Sequence, residues 1–351
     1  GSITISVIGL LKIGGWGNLV SVVEPTHFNM FLPSDHPDFP WIGMVFAPPI
    51  IGIWYWCTDQ YIVQRVLSAK NVSEARKGTI FAGYLKLLPI FMFFIPGLIA
   101  YAMTKTGQLS YGSSDQVFPT LVRELLPSGI RGLVAGGLLA ALMSSLSSVF
   151  NSCSTLFTMD IYKKLYPETD EKKLVFVGRI ATGIVVLSGI LWIPFIKVVS
   201  GAGLYTYLQS VQAYIAPPIA SVFLLGLFWS RINASGALAA LVGGFIAGMI
   251  RLGLEIKKST LTVDGIWYQI ADLNFLYFAI FSFLTCVVVL IAVSMLTPPP
   301  DLKKINGLTY DTSKKNITEA DHPKSDKINS YIILAILALI LIYFSPIGIG
   351  G

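Results

Sequence analysis

Charged side chains are scarce in this chain. Only 13% of its 351 residues are Asp, Glu, Lys or Arg, whereas 54% are hydrophobic. A soluble globular protein carries about 25% charged residues, so the composition excludes that class and predicts a polytopic membrane protein. The net charge of +6 does not indicate nucleic-acid binding, because the basic residues lie in short loops between apolar runs.

Cysteine and histidine are also scarce, with three of each. Each cysteine stands alone inside an apolar run, without the spacing of a metal or disulfide site. His27 and His36 lie near two aspartates, but their irregular spacing favours a solvated loop over a metal site. There is no nucleophile–base pair and no nucleotide motif, so we do not expect an enzyme. The chain starts without Met or a charged leader, and we interpret it as the C-terminal part of a longer protein.

Long apolar runs dominate what is present. A transmembrane helix needs roughly 20 apolar residues, and eight such runs predict complete spans in an all-α fold. They cover approximately 41–67, 78–103, 132–162, 174–196, 205–229, 235–254, 275–296 and 328–347. Residues 3–11 predict the end of another span, and 15–40 predict a polar loop. Lys and Arg are concentrated in every second loop, and the positive-inside rule places those loops in the cytoplasm. The 15–40 loop is not one of them, so it is predicted to lie outside.

The run from Gly132 to Tyr162 carries hydroxyl groups in its middle. Five small residues recur at i, i+3, i+4, i+7 and i+11, a spacing that places them on one helix face. They are Ala141, Ser144, Ser145, Ser148 and Ser152. Such a strip can let a neighbouring helix approach closely, or it can supply oxygen ligands to a monovalent cation. The residue pattern leaves both interpretations open, and packing is the commoner use of small residues. Helix packing alone is expected for the glycine pairs Gly132–Gly136 and Gly244–Gly248.

Two ionisable residues inside the predicted spans are functional candidates, because charge is expensive within a membrane. Asp59 follows a helix that Pro48, Pro49 and Gly52 are expected to interrupt, and Lys86 lies on the next span. The two residues either pair with each other, which is a structural role, or line a polar cavity at the helix break.

Aromatic residues stand beside this break. Tyr55 and Trp56 lie about half-way along their span, whereas an interfacial aromatic belt lies at the ends. An aromatic face with nearby amides and hydroxyls suits a sugar, whose C–H face stacks while its hydroxyls form hydrogen bonds. Gln209 is one candidate amide, although a hydrogen bond across helices would also explain it.

Several stretches together resemble the sodium/glucose cotransporter family of the sodium:solute symporter superfamily. They are WYWCTDQ at 54–60, LSAKN at 67–71, GYLKLLP at 83–89, LMSSLSSVFNS at 142–152 and YLQSVQAYIAPPIA at 207–220. The resemblance implies an inverted-repeat fold of the LeuT type that lacks most of its first repeat. It implies six segments: the end of a first-repeat helix (1–14), an extracellular loop (15–40), the second five-helix repeat (41–229), two additional helices (230–296), a cytoplasmic connector (297–327) and a final helix (328–351).

The resemblance also implies roles for residues. Sodium would bind the backbone carbonyl of Ala141 and the hydroxyls of Ser144 and Ser145, and a second sodium site would involve Ser147 and Ser148. The implied sugar-pocket positions are Tyr55 (the inner gate), Trp56, Lys86, Gln209 and Gly52, and the implied structural or gating positions are Asp59 and Arg65.

Two positions depart from the family pattern. Gly52 stands where sugar carriers place a hydroxyl or amide that can touch the sugar, so we expect one hydrogen bond fewer or a different substrate. Ala141 is Ser in some relatives, which matters little if only its carbonyl coordinates the ion.

The resemblance thus implies sodium-coupled symport of a glucose- or galactose-like monosaccharide across the plasma or inner membrane, by alternating access. The alternatives are a symporter of myo-inositol or another polyol, and a sugar-gated sodium conductance or sensor. We also expect that the missing N-terminal half of the same protein is needed for function, since it would complete each site.

Overall fold

The computed structural model describes residues 1–199, 203–313 and 324–351, so residues 314–323 of the predicted connector lie outside the described part. Within these ranges the chain is helical and contains no strand, as the sequence predicts. In chain order the α-helices are α1 (Ser2–Ile13), α2 (Trp16–Val22), α3 (Pro25–Phe28), α4 (Trp41–Ile53), α5 (Gln60–Leu67), α6 (Val72–Leu85), α7 (Ile95–Lys105), α8 (Val117–Leu125), α9 (Ser128–Thr155), α10 (Lys163–Leu165), α11 (Glu171–Val199), α12 (Leu204–Phe228), α13 (Ala234–Ile256), α14 (Ile266–Asp272), α15 (Phe275–Leu296), α16 (Leu302–Ile305), α17 (Tyr310–Ser313) and α18 (Lys324–Tyr343).

Eight stretches of the described chain are long and apolar enough to cross a membrane, in agreement with the eight predicted spans. They are Trp41–Thr58, Val72–Lys105, Ser128–Leu165, Glu171–Pro194, Leu204–Phe228, Ala234–Ile256, Phe275–Leu296 and Lys324–Tyr343. Helices α1 and α2 pass the same test only as a pair, bent by 74°. The bend falls at Gly14 and Gly15, both with φ near +95°, a conformation that glycine adopts without a steric penalty.

The segment 15–40, expected to be a loop, therefore contains helix. Leu19 of α2 and Phe28 of α3 are fully buried, so part of the segment belongs to the packed protein. Its apolar residues are too few and too scattered to show this burial in the sequence pattern.

Three of the spans contain a π-helical turn, at Trp54–Thr58, Ile90–Phe94 and Leu156–Tyr162. Such turns leave the regular hydrogen-bond ladder and often occur at functional sites. The sequence pattern predicted the first break at Pro48, Pro49 and Gly52, but α4 continues through these residues to Ile53. The helix ends instead at Asp59, whose backbone is extended (φ −72°, ψ 117°).

The chain divides into two compact units. Unit 1 comprises residues 1–29, 81–201 and 342–351, and unit 2 comprises residues 30–80 and 202–341. The predicted division into repeats, connector and final helix, and the side of the membrane on which each loop lies, remain predictions.

Unit 2 is built around α12, α13 and α15, with α4 packed against α12 and α15. Small residues allow the close approach of these helices. A Cβ added at Gly248 would lie 2.5 Å from the backbone oxygen of Tyr214, and one added at Gly244 would lie 2.6 Å from Cβ of Pro218. The helix-packing role predicted for Gly244 and Gly248 is confirmed.

Unit 1 contains α1 packed on α7 and α9 packed along α11. The hydroxyl of Ser6 on α1 donates to the backbone oxygen of Phe91, 2.5 Å away, in the second π-helical turn. Gly132 and Gly136 on α9, which were also predicted to pack, have no neighbouring atom of the described chain within 4 Å of an added Cβ.

Candidate sodium and substrate sites

The hydroxyls in the middle of α9 fall into two groups. Ser147 and Ser148 both donate to the carbonyl oxygen of Ser144, at 3.0 Å each. The hydroxyls of Ser144 and Ser145 form no hydrogen bond with any residue that the structure describes, and both side chains are exposed. Ser144 and Ser145, the two residues predicted to ligate sodium through their hydroxyls, are therefore not bonded back to their own helix.

The C-terminal end of α9 packs against α11. Ser152 and Ser154 are buried, and the Ser154 hydroxyl donates to the backbone oxygen of Gly178 at 2.7 Å. A Cβ at Gly178 would lie only 3.0 Å from this hydroxyl. Helix packing thus accounts for the buried hydroxyl of Ser154, which lies on a different face of α9 from the predicted strip.

The donor set in the middle of α9 fits a monovalent cation. Hydroxyl and carbonyl oxygens are ligands that a sodium ion can take inside a membrane protein, and a carbonyl has a second lone pair after its helical hydrogen bond. Ala141 is exposed on the same stretch, so its carbonyl belongs to the same candidate set. The assignment of these residues to one or two sodium sites remains a prediction.

The predicted aromatic residues of unit 2 lie on the π-helical turn that follows α4. Tyr55 packs edge-on against Trp56, with ring centroids 5.2 Å apart and planes at 87°. Trp56 remains 42% exposed. The widened turn is stabilised by Thr58, whose hydroxyl donates to the backbone oxygen of Trp54 at 2.6 Å. The turn thus presents two aromatic rings beside an interrupted backbone.

Asp59 and Arg65 organise the helix that restarts after this turn. The Asp59 carboxylate accepts a hydrogen bond from the backbone N–H of Tyr61 at 3.2 Å and so caps α5. The guanidinium carbon of Arg65 lies 5.5 Å from the centre of the Tyr61 ring, within the range of a cation–π contact. The Tyr61 hydroxyl in turn lies 2.6 Å from the Tyr55 hydroxyl.

The remaining predicted substrate residues are placed as follows. Gly52 lies beside Trp56, whose Cδ1 would be 3.9 Å from an added Cβ. Gln209 is half-buried on α12, the helix that packs against the first π-helical turn. Lys86 is exposed in the turn after α6 and belongs to unit 1. The structure thus brings Tyr55, Trp56 and Gly52 together on α4 and its π-helical turn, and a common pocket with Lys86 remains a prediction.

A buried charge that the sequence analysis did not single out, Arg251, lies on α13 within the predicted span 235–254. The side chain of Arg251 is 4% exposed; it donates to the backbone oxygen of Leu273 at 2.9 Å and lies 3.8 Å from the Glu255 carboxylate. Tyr214 on α12 donates to the same carboxylate at 2.5 Å. In the sequence, the i, i+4 spacing of Arg251 and Glu255 at the end of an apolar run is the feature that could have indicated this ion pair. These contacts join α12 and α13 to the link between α14 and α15.

A cavity of about 680 Å³ lies beside this cluster. Its wall includes Arg251, Glu255, Lys258 and Asp272 together with residues 34–38. None of the predicted sugar-pocket residues lines it. Its wall contains two ion pairs, Lys258 with Asp272 at 2.5 Å and Arg251 with Glu255 at 3.8 Å. We therefore assign this cavity no part in the predicted substrate site.

The two histidines near the chain start contribute to local structure. The Nδ1 atom of His36 accepts hydrogen bonds from the backbone N–H groups of Asp38 and Phe39, at 3.2 and 3.1 Å. His27 stacks on Tyr101 at 4.2 Å. In the residues that the structure describes, no group of three or more His, Cys, Asp or Glu side chains is placed to hold a metal ion.

Glu24 connects the segment after α2 to the end of α7. Its carboxylate accepts hydrogen bonds from the Lys105 ammonium at 2.6 Å and from the Tyr101 hydroxyl at 2.8 Å. The hydrogen bond from Lys105, with smaller contributions from the Glu24 backbone and from Tyr101, lowers the pKa of the Glu24 carboxyl to about 2. The carboxylate is thus ionised at any physiological pH.

Comparison with known proteins agrees with this architecture. The model of the sodium:solute symporter family matches residues 1–244. The sodium/myo-inositol cotransporter 2 of Bos taurus is 38% identical over 314 residues, which make up 85% of this chain and 47% of that protein. The sodium/glucose cotransporter 1 of Ovis aries is 41% identical over 288 residues, covering 78% of this chain and 43% of the relative. The chain thus spans about half the length of the curated relatives it matches.

A solved structure of a sodium-coupled sialic acid symporter in a substrate-bound outward-open state superposes with a TM-score of 0.63. It is 22% identical, and the match covers 86% of this chain and 60% of that one. The similarity confirms the predicted all-α, LeuT-type fold.

The helical fold and the eight apolar spans define a multi-pass integral membrane protein. The family model covers more than half of the chain, and the chain belongs to the sodium:solute symporter family.

Proposed function

We propose that the protein is a sodium-coupled symporter of a monosaccharide, glucose-like or galactose-like, that works by alternating access. The observation that carries this proposal is the middle of α9, where the exposed hydroxyls of Ser144 and Ser145 are not hydrogen-bonded to their own helix. Membership of the sodium:solute symporter family supports sodium as the ion. The aromatic pair Tyr55 and Trp56 beside a broken helix supports a substrate with a face that stacks.

Coupling requires more than two binding sites. Sodium drives uptake only if it binds more tightly to the conformation that also binds the sugar, because equal affinity for both states shifts no equilibrium. In this proposal sodium on α9 favours the outward-open state, and its release inward weakens the sugar pocket. In this proposal the ligands that complete the sodium sites come from first-repeat helices that lie outside this chain.

Myo-inositol or another polyol is the second candidate substrate. Relatives that are 38–40% identical are named sodium/myo-inositol cotransporters, and others of similar identity are named sodium/glucose cotransporters. Gly52 removes one side chain that could contact the substrate, which favours a changed hydroxyl pattern. Competition of unlabelled glucose, galactose and myo-inositol against one labelled substrate separates these candidates.

The sodium assignment is tested by the substitution Ser145→Ala in the complete gene product reconstituted in vesicles. Loss of one oxygen ligand should raise the sodium concentration for half-maximal uptake on the order of tenfold. Uptake at saturating sodium should remain close to wild type. Thr155→Val is the matched control on the same helix, because the Thr155 hydroxyl donates to the backbone oxygen of Asn151 at 2.8 Å. An equal loss of uptake at every sodium concentration would contradict the assignment.

A further inference from the structure

The Tyr55 ring has contacts with Trp54, Trp56 and Tyr61, and Tyr61 contributes both a ring contact and a hydroxyl contact. The edge of Tyr55 packs on Trp56, its hydroxyl lies 2.6 Å from the Tyr61 hydroxyl, and the Tyr55 and Tyr61 rings meet edge-to-face with centroids 6.2 Å apart. Tyr61 lies across the helix break, at the second residue of α5. The contact between the two hydroxyls thus bridges the π-helical turn and the restarted helix.

Tyr61 is itself fixed by its neighbours. Its backbone N–H is capped by Asp59 at 3.2 Å, and Arg65 lies over its ring at 5.5 Å. The capping bond fixes the first turn of α5 and thereby the direction of the Tyr61 side chain. Asp59 and Arg65 therefore act on Tyr55 indirectly, through the residue between them.

We propose that Tyr61 is a positioning residue for substrate binding, which holds the Tyr55 ring in the orientation that stacks on the sugar. This inference rests on the proposed function, in which Tyr55 is part of the substrate pocket. It also gives Asp59 and Arg65 a defined role, because they maintain the hydrogen bond between Tyr61 and Tyr55 and do not contact the substrate.

The size of the effect follows from the hydrogen bond that is lost. A tyrosine without its partner populates other side-chain rotamers, and the apparent affinity falls in proportion to the population of the competent one. One neutral hydrogen bond corresponds to a factor of about two to ten in such a population. Tyr61→Phe should therefore raise the dissociation constant for the sugar about two- to tenfold.

Three variants of the complete gene product, purified in detergent, test the proposal: Tyr61→Phe, Tyr55→Phe and the double variant. Binding of labelled glucose and of labelled myo-inositol is measured at saturating sodium, and sodium binding is measured without sugar. Tyr205→Phe is the control, because the exposed Tyr205 makes no hydrogen bond through its hydroxyl within the described residues. Thermal midpoints confirm that each variant is folded.

The expected result has two parts. Tyr61→Phe weakens sugar binding two- to tenfold and leaves sodium binding without sugar unchanged. The double variant binds sugar no more weakly than the weaker of the two single variants, because both substitutions remove the same hydrogen bond. Additive losses in the double variant would overturn the proposal, and so would parallel losses of sodium binding and thermal stability, which indicate a merely structural residue.

A fourth variant, Tyr55→Ala, separates this inference from the proposed function. If Tyr55→Ala abolishes sugar binding while Tyr61→Phe binds as wild type, the positioning role is wrong and the substrate site stands. If neither variant changes binding of either labelled substrate, Tyr55 is not in the pocket, and both the inference and the proposed substrate site fail.

Discussion

The contact of Gly248 with α12 permits a quantitative prediction about helix packing. A methyl group at this position would lie 2.5 Å from the Tyr214 backbone oxygen and 3.3 Å from its Cβ. A backbone oxygen cannot rotate away as the end of a side chain can, and the Tyr214 side chain is anchored by Glu255. Gly248→Ala should therefore force α12 and α13 apart.

Gly243 on the same helix is the matched control, since a Cβ added there has no atom within 4 Å. Both substitutions gain the same helix propensity, up to about 1 kcal/mol, so this contribution cancels in the comparison. Overpacking costs about 1–3 kcal/mol, and Gly248→Ala should be less stable than Gly243→Ala by that amount. At roughly 2–4 °C per kcal/mol, its thermal midpoint should be on the order of 2–12 °C lower.

The assay is thermal unfolding of the complete gene product in detergent, followed by tryptophan fluorescence. Membrane proteins often unfold irreversibly, so both variants must be heated at one rate and compared as apparent midpoints. A Gly248→Ala variant as stable as Gly243→Ala would refute the packing argument. It would mean that α12 and α13 separate at no cost at their closest approach.

Two further predictions concern charged groups. Arg251→Ala should destabilise the protein by about 1–3 kcal/mol, because it leaves the backbone oxygen of Leu273 without its hydrogen-bond donor. Lys258→Ala breaks an exposed pair and should cost under about 1 kcal/mol, and thermal midpoints rank the two. Acidification should loosen the segment around Glu24 from the end of α7, since the pKa of Glu24 is lowered from 4.5 to about 2. Its contacts are complete above pH 4.5 and weaken as the pH falls toward 2. The hydrogen-exchange rate of this segment should rise as the pH falls from 4.5 toward 2. In the Lys105→Met variant the exchange rate should already be raised at neutral pH. An unchanged exchange rate would contradict the role of Glu24.

The spans could be predicted from the sequence because they depend on composition alone. A run of twenty apolar residues has no soluble alternative, and the eight spans agree with the observed helices. The packing of Gly244 and Gly248 was predictable for a similar reason, since small residues four apart form one helix face. Gly132 and Gly136 carry the same pattern, yet no described residue packs on them, because the pattern does not specify which helix approaches.

The helix break could not be located from the prolines. Pro48 and Pro49 each remove one backbone donor, but α4 tolerates this and continues to Ile53. The break occurs where the Asp59 side chain caps a new helix, and a cap of this kind is not part of the apolar pattern. The burial of Arg251 depends on Tyr214 and Leu273, which are distant in sequence. Contacts of this kind leave no periodic signal.

The central claim is that sodium drives solute uptake, and one measurement tests it directly. Labelled glucose is offered to vesicles containing the complete gene product, first with an inward sodium gradient and then with potassium in its place, and the experiment is repeated with labelled myo-inositol. The proposal predicts accumulation above the external concentration with sodium only, for glucose and, if the second candidate holds, for myo-inositol. Sodium current or substrate binding without accumulation of either compound would contradict it and would favour a sugar-gated conductance or sensor.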